Sequence, residues 1–191
     1  YDEDKIAYDF QLKLEAAVHK RMISDVPLGT YLSGGVDSAL LSAIAARRLG
    51  KGLNTYTIGF LELNEFAYAR LVAERYQTAH HEIHMDWQDY QGQMRAGIEY
   101  KDAPLGIPNE VPLAVMSKEL KKDITVVLSG EGADELLGGY GRIFRSPFDY
   151  MHIDRENKEG FYQYFANKYE YVPRRIRKKF LGSQTRQKEY D

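Results

Sequence analysis

The chain has 191 residues, of which 43% are hydrophobic and 28% are charged, and its net charge is −2. It is long enough to bury the core of one domain, and its near-neutral charge gives no electrostatic reason to expect nucleic acid or an anionic membrane as the main partner. It contains no cysteine, which excludes disulfides, thiolate metal sites and a cysteine nucleophile within it and predicts a cytoplasmic setting.

The amino-terminal segment predicts a helix followed by a short strand. Apolar residues recur there at four-residue spacing, which places them along one helix face: Ile6, Phe10, Leu14, Val18 and Met22. Val26-Pro27 ends the helix, because the residue before proline avoids the helical region. Leu28–Leu32 is the predicted strand. The absence of an initiating Met predicts a fragment or a processed chain, and no apolar run is long enough to span a membrane.

Helices and strands then alternate. The predicted helices are Asp37–Leu49 (with Leu40, Leu41, Ile44 and Ala45 at helical spacing), Glu65–Tyr76, about Trp87–Tyr100, and one that ends at Lys121-Lys122. The predicted strands are Thr55–Phe60, His80–Met85 and Ile124–Leu128. The last is a continuous apolar run, typical of a strand buried on both faces. Residues 142–191 are aromatic and basic, and they predict a helical extension.

This alternation predicts an α/β fold of three layers, with a mainly parallel sheet between two layers of helices. In such sheets ligands bind beyond the carboxyl ends of the strands. Two glycine-rich stretches follow predicted strands, one after Leu32 and one after Leu128. We therefore expect the functional residues in these two stretches.

The first stretch is Ser33-Gly34-Gly35-Val36-Asp37-Ser38. Its glycines let backbone N–H groups approach an anion, and the helix start and two serine hydroxyls favour phosphate. Asp37 in such a loop suits Mg²⁺, which would offset the phosphate charge. The alternative is a glycine-rich turn in which Asp37 and Ser38 merely cap the helix.

The second stretch runs from Leu128 to Tyr140 and carries three carboxylates within five residues, those of Glu131, Asp134 and Glu135. Carboxylates at a buried strand end are costly unless cations or hydrogen bonds compensate them. Asp134 would complete a Mg²⁺ site with Asp37 if the two strand ends are adjacent, and Glu131 would take or position a proton. The alternative is a solvated acidic loop without function.

These motifs resemble a known family. The hexapeptide resembles the pyrophosphate-binding loop (PP-loop) of the N-type ATP pyrophosphatases, and Ser129–Tyr140 resembles the second signature of glutamine-dependent asparagine synthetases. Three further segments are similar to the same family: Ser24–Gly29, Thr55–Phe60 with Tyr68-Ala69-Arg70, and His80-His81-Glu82. The resemblance covers roughly the first 140 residues.

The resemblance implies an ATP-dependent ligase. In that family Mg-ATP lies across the strand ends, and the positions matching Leu32, Ile58, Ser129 and Gly130 contact the adenosine. The PP-loop residues would hold the β- and γ-phosphates: Ser33, Gly34, Gly35, Asp37 and Ser38. The side-chain carboxylate of aspartate attacks the α-phosphorus, which gives β-aspartyl-AMP and pyrophosphate, and ammonia then gives asparagine and AMP.

The chain also departs from the family. It lacks the amino-terminal glutaminase domain, with its nucleophilic cysteine, that frees ammonia from glutamine. It also lacks the later Arg-x-Pro-Phe-Leu-Asp stretch, so we expect 1–191 to be one domain that is incomplete at its carboxyl end. Lys188 only faintly resembles the lysine that the family places near the acyl-adenylate, and it is given no role. The oligomeric state stays open, with a homodimer as one arrangement.

Other functions remain as alternatives. A related amidotransferase or a β-lactam-forming synthetase would use another carboxylate, and a nucleotide-binding module would not catalyse at all. A PP-loop enzyme acting on tRNA is disfavoured by the net charge, and the basic run 174–179 predicts a solvated helix face. His80, His81 and His84 do not predict a metal site, because His81 points away from the other two on a strand.

Overall fold

The computed structural model describes residues 1–153, 160–170, 172, 176 and 179, apart from the side chains of Arg142 and Tyr169. The chain divides into two compact units, Tyr1–Gly130 and Glu131–Asp191. The strands of the first unit are β1 (Leu28–Tyr31), β2 (Asn54–Phe60), β3 (Ala79–Met85) and β4 (Val126–Leu128). Its helices are α1 (Glu3–Arg21), α2 (Val36–Leu49), α3 (Phe66–Tyr76), α4 (Trp87–Lys101) and α5 (Glu110–Leu120).

Local chemistry sets several of the helix boundaries. α1 begins after Asp2, whose carboxylate accepts the Lys5 N–H at 3.0 Å. α4 begins after Asp86, which forms a reciprocal capping box with Asp89. α2 ends at Gly50, where φ is 80°, a conformation that side-chain-bearing residues rarely adopt. The start of α4 and the end of α2 agree with the predicted boundaries, whereas α1 ends at Arg21, several residues before the predicted stop at Val26-Pro27.

All the described strands pair in parallel, in the order β3-β2-β1-β4. β1 lies between two neighbours, with Gly29 opposite Asn54 of β2 and Thr30 opposite Leu128 of β4. From β1 the chain moves outward through β2 to β3, and then returns to the other side of β1 to form β4. The strand order therefore reverses between β1 and β4, and ligands of open α/β sheets bind at the carboxyl ends beside such a reversal.

Apolar clusters cover both faces of the sheet and confirm the predicted α/β architecture. Successive strand residues point to opposite faces, so Leu32 packs with α3 while Tyr31 lies against the cluster around α5. The face that carries α1, α2 and α3 has two clusters, Val18, Ile44, Ala45, Ala46 and Leu53, and Leu32, Ala69 and Ala73. The α5 face has Tyr56, Met116, Leu120 and Ile124.

Helical spacing alone does not fix which residues are buried, as α1 and α2 show. In α1, Ile6 is 51% and Phe10 is 40% exposed, since only the later turns reach the cluster beside α2. In α2, Leu40 is 42% exposed, whereas Ser42 is fully buried. The hydroxyl groups of Ser42 and Thr30 hydrogen-bond to each other at 2.7 Å. Small residues therefore face the sheet and bring α2 close to β1.

The prediction that Ile124–Leu128 is a strand buried on both faces is also wrong. Only Val126–Leu128 forms β4, and all three residues are half-buried. Within the described residues β4 is an edge strand of the sheet and pairs only with β1. Ile124, by contrast, is buried in the α5 cluster. The apolar run thus contributes Ile124 to the core and Val126–Leu128 to an edge strand.

The described part of the second unit is helical, as predicted for the residues from 142 onward, and it also contains a short helix within the second glycine-rich stretch. It contains α6 (Ala133–Leu137), α7 (Gly141–Phe144), α8 (Ser146–Met151) and α9 (Phe161–Tyr169). The ring of Tyr150 lies 5.2 Å from that of Phe161 and 5.4 Å from that of Tyr164, so these aromatic residues pack α8 against α9. Tyr171, Lys188 and most of the basic run 174–179 lie outside the described residues. No described helix is long and apolar enough to cross a membrane.

Gly29→Ala tests the close approach at the centre of the sheet. A Cβ added at Gly29 would lie 2.6 Å from the Asn54 carbonyl oxygen and 2.8 Å from Ile124 Cδ1. We expect the free energy of unfolding, measured with urea, to fall by about 1–3 kcal/mol through overpacking. Gly92→Ala in α4 is the control, because a Cβ there meets no described atom within 4 Å and should stabilise the helix. Equal effects of the two variants would contradict this account.

Candidate functional site

The PP-loop leaves the carboxyl end of β1 and opens directly into the first turn of α2. The cap residue, Gly35, is extended (φ −78°, ψ 155°), and no described side chain caps the helix. The first N–H groups of a helix have no partner within it, and they carry its positive dipole end. This end of α2 is therefore suited to bind a phosphate.

The two serines predicted to bind phosphate brace the loop. Their hydroxyl oxygens are 2.8 Å apart, and the Gly35 N–H donates to Ser33 Oγ at 3.2 Å. Ser38 Oγ lies 3.1 Å from the carbonyl oxygens of Ser33 and Gly35. These contacts fix the loop before any ligand arrives. Asp37, the third polar residue of the loop, is exposed on the first turn of α2.

The backbone that follows β4 lies against this turn. A Cβ added at Gly130 would lie 3.2 Å from both Asp37 Cβ and the Ser38 backbone nitrogen. The parallel pairing of β1 with β4 brings these segments together, which meets the condition that the two strand ends be adjacent. The absence of a side chain at Gly130 leaves open a cradle beside the Ser38 N–H, as the binding of a polyphosphate requires.

A cavity of about 330 Å³ opens at the ends of β1 and β2. Two of the predicted ATP contacts, Ser33 and Ile58, line it together with Tyr31, Glu65 and others. Its volume is within the range of small-molecule sites. The structure therefore offers a nucleoside-sized space next to the amino end of α2.

Leu32, another predicted ATP contact, is placed differently. Its side chain is fully buried in the cluster beneath α3. Its N–H donates to the Tyr56 carbonyl oxygen at 2.9 Å, and its own carbonyl oxygen accepts from the Thr57 hydroxyl. Leu32 thus anchors the end of β1 to β2, and its proposed contact with the nucleotide stays a prediction.

In the second unit, the loop after α6 winds tightly around Asp134. The N–H groups of Gly138 and Gly139 donate to the Asp134 carbonyl oxygen at 3.0 and 3.1 Å. A Cβ at Gly139 would lie 1.7 Å from Asp134 Oδ1, so a side chain there would displace the Asp134 carboxylate. The glycine pair of the second signature thereby leaves room for the Asp134 carboxylate in its present position.

The tyrosine that ends the second signature fixes a neighbouring carboxylate. Tyr140 donates its phenolic proton to Glu135 Oε1 at 2.7 Å, and this hydrogen bond is the main reason that the pKa of Tyr140 is raised to about 12. Glu135 is thus held within its own loop. Glu131 is exposed and Asp134 is half-buried.

The predicted Mg²⁺ pair falls in different units, with Asp37 in the first and Asp134 in the second. The described residues contain no cluster of three or more acidic or histidine side chains suited to a metal. Mg²⁺ commonly takes one or two protein carboxylates together with substrate phosphates and water. One exposed carboxylate in the first turn of α2, Asp37, fits such a site, and the pairing of Asp37 with Asp134 stays a prediction.

The three histidines of β3 take part in packing. His80 is mostly buried, and burial is the main cause that lowers its pKa. The three side chains contact different partners: the Thr55 hydroxyl for His80, the stacked ring of Tyr56 for His81, and the ring of Phe66 for His84. A bidentate pair between Arg70 and Glu82, at 2.6 and 2.7 Å, ties α3 to β3.

Sequence reasoning missed one residue at the PP-loop. The carboxylate of Glu65, just before α3, accepts a hydrogen bond from the Gly34 N–H at 3.0 Å. An acidic residue at the start of a helix is common for reasons of helix stability alone. Nothing in its sequence position therefore distinguishes Glu65 from an ordinary helix-start acid.

A parallel sheet with a reversed strand order and a glycine-rich loop at a helix end defines an open α/β protein whose ligand site lies at the carboxyl ends of the strands. A solved structure with a similar fold, NMN synthetase from Francisella tularensis, matches 70% of this chain and 58% of its own chain, with a TM-score of 0.50 and 15% sequence identity. That likeness concerns the fold alone.

The chain belongs to the asparagine synthase family, whose model matches residues 9–190. A glutamine-hydrolysing asparagine synthetase of Bacillus subtilis is 34% identical over 81% of this chain and 24% of its own length. One from Zea mays is 37% identical over 70% of this chain and 25% of its own length. The chain thus spans about a quarter of the length of these curated relatives.

Gly130→Ala tests the cradle beside the PP-loop. The added methyl group would occupy the space next to the Ser38 N–H, 3.2 Å from that nitrogen. We expect the Kd for inorganic pyrophosphate, measured by calorimetry with Mg²⁺ present, to rise on the order of ten-fold through loss of this donor. Gly141→Ala is the control, because a Cβ there meets no described atom within 4 Å. Unchanged affinity in Gly130→Ala would place the phosphates elsewhere.

Proposed function

We propose that this chain is the synthetase part of an enzyme that amidates aspartate at the expense of ATP, through β-aspartyl-AMP. The observation that carries the proposal is the parallel pairing of β1 with β4, which sets the PP-loop beside the backbone of Ser129 and Gly130. The names of the family's curated members support asparagine as the product and glutamine as the nitrogen source. We propose that a glutaminase domain of the complete protein supplies the ammonia.

The proposed arrangement places each part of ATP against a feature of the first unit. The nucleoside would occupy the cavity that Ser33 and Ile58 line. The β- and γ-phosphates would lie at the amino end of α2, where N–H donors and the helix dipole stabilise negative charge. This orientation leaves the α-phosphorus between the cavity and the loop, where an incoming carboxylate reaches it.

The chemistry consists of two displacements. A carboxylate oxygen of the aspartate side chain forms a bond to the α-phosphorus, and the bond to the departing pyrophosphate breaks. Ammonia then attacks the acyl carbon, loses a proton, and expels AMP. The protein contributes by positioning the reactants and by placing donors where the pyrophosphate develops charge.

Three carboxylates complete the proposal. Asp37 and Asp134 would hold Mg²⁺, which when bound neutralises the phosphate charge. Glu131 would face the acyl centre and position or accept the proton that ammonia loses. The absence of cysteine favours action in the cytoplasm. A homodimer stays a prediction.

Exchange of labelled pyrophosphate into ATP tests the reaction, because it follows the reversal of adenylation. We expect the complete natural protein to show exchange that requires both aspartate and Mg²⁺. Exchange with another carboxylic acid in place of aspartate would move the enzyme to a related amidotransferase or β-lactam-forming synthetase. ATP binding without exchange, with any acid, would instead indicate a non-catalytic nucleotide-binding module.

Substitution of the carboxylates separates their roles. Asp37→Ala and Asp134→Ala should each lower the aspartate-dependent exchange rate on the order of a hundred-fold or more, since each would remove a metal ligand. Glu131→Gln is the contrast within the same signature and should keep ATP affinity while it slows asparagine formation. The thermal midpoint of each variant reports whether it is folded. Full exchange in either Asp variant would contradict the metal assignment.

A further inference from the structure

One hydrogen bond of the PP-loop joins it to a carboxylate outside the loop. The Gly34 N–H donates to Glu65 Oε2 at 3.0 Å, and Glu65 also lines the nucleoside-sized cavity. Backbone N–H groups of such a loop are the donors that would meet phosphate oxygens. A carboxylate oxygen therefore holds a position that suits a phosphate oxygen of the ligand.

The backbone around this contact is tightly packed. A Cβ added at Gly34 would lie 2.8 Å from Glu65 Cβ and 2.9 Å from Tyr68 Cβ, so the loop rests directly on the first turn of α3. The Glu65 carboxylate, in contrast, extends from an exposed residue. Rotation about its own side-chain bonds releases the Gly34 N–H without any movement of α3.

The start of α3 does not depend on this carboxylate. Asn64 Oδ1 accepts the Phe66 N–H at 3.2 Å, and Asn64 Nδ2 donates to the carbonyl oxygens of Phe60 and Leu61 at 2.8 and 3.0 Å. Glu65 occupies the cap position, yet its side chain makes no capping hydrogen bond to the described helix. The turn before α3 is thus held by Asn64, and Glu65 is free to serve the PP-loop.

The Glu65 carboxylate and a phosphate group of the ligand cannot both lie beside the Gly34 N–H, because both are negatively charged. A carboxylate within hydrogen-bonding distance of the Gly34 N–H would lie next to an incoming polyphosphate, and like charges at such short range repel. The polyphosphate must therefore displace the carboxylate, and the displaced carboxylate returns when the anion leaves. The free loop keeps a satisfied N–H in the meantime, which avoids the cost of an unpaired donor.

The geometry points to Glu65 as an internal stand-in for a phosphate oxygen, which holds the PP-loop in its binding shape and competes with polyphosphate for the Gly34 N–H. The inference rests on the proposed function, because it assumes that the loop binds the phosphates of ATP. Glu65 is in this sense a positioning residue. It weakens the binding of pyrophosphate and favours its release after adenylation.

The test measures binding of inorganic pyrophosphate, and separately of ATP, to the complete natural protein by calorimetry with Mg²⁺ present. Glu65→Gln keeps an acceptor for the Gly34 N–H but removes the charge. We expect its Kd for pyrophosphate to fall by about five-fold, since charge-assisted hydrogen bonds are roughly twice as strong as neutral ones. Glu62→Gln is the control, because it removes a charge from an exposed position of the loop between β2 and α3. It should change Kd by less than about two-fold at physiological salt.

The outcomes separate this inference from the function on which it rests. Tighter binding by Glu65→Gln alone supports the competition, because a purely structural role would not increase affinity when it is lost. Equal or weaker binding by Glu65→Gln, with normal binding by the unsubstituted protein, overturns the inference and leaves the proposed function intact. An equal gain in both variants overturns it as well, by indicating a general charge effect. If the unsubstituted protein binds neither ligand, the proposed function and the inference both fail.

Discussion

The pairing of β1 on both of its edges is the constraint on which the site depends. This strand has only four residues, yet it hydrogen-bonds to β2 on one side and to β4 on the other. The PP-loop continues from its carboxyl end, and Ser129-Gly130 continues from that of β4. Any loss of register here would separate the Gly130 backbone from the first turn of α2. Close packing enforces the register, since Gly29 admits no side chain between Asn54 and Ile124.

The site of the first unit is built largely from backbone. Ser42, a small buried residue of α2 that hydrogen-bonds to Thr30, brings the helix close to β1 and directs its amino end to the edge of the sheet. The two serines of the loop brace each other, and the strand ends supply the walls of the cavity. A site of this kind is already formed without ligand, and its N–H groups and the helix dipole would favour a phosphate.

Much of this architecture could be predicted from the sequence, for identifiable reasons. The alternation of helices with strands and the glycine loops gave the α/β fold, and the motifs indicated the family. Apolar periodicity did not predict burial in α2. Leu40 follows the apolar pattern but is exposed, and Ser42 faces the sheet in its place. The burial of β4 depends on its place in the sheet order, which its composition does not encode. The contact of Glu65 with Gly34 joins residues 31 apart in the chain, and no local pattern reveals it.

β4 also has a consequence for handling the protein. Its three residues, Val126, Val127 and Leu128, are apolar and half-buried, and the strand closes one end of the described sheet order. Natural proteins protect edge strands with lysine, with proline or with a covering element, because the unpaired backbone groups of an edge strand can pair with another chain. Shortened forms of the protein that leave the edge of β4 uncovered would therefore aggregate through pairing of β4 with a strand of another chain. Solubility during expression thus depends on where such a piece is cut, as well as on how stable its core is.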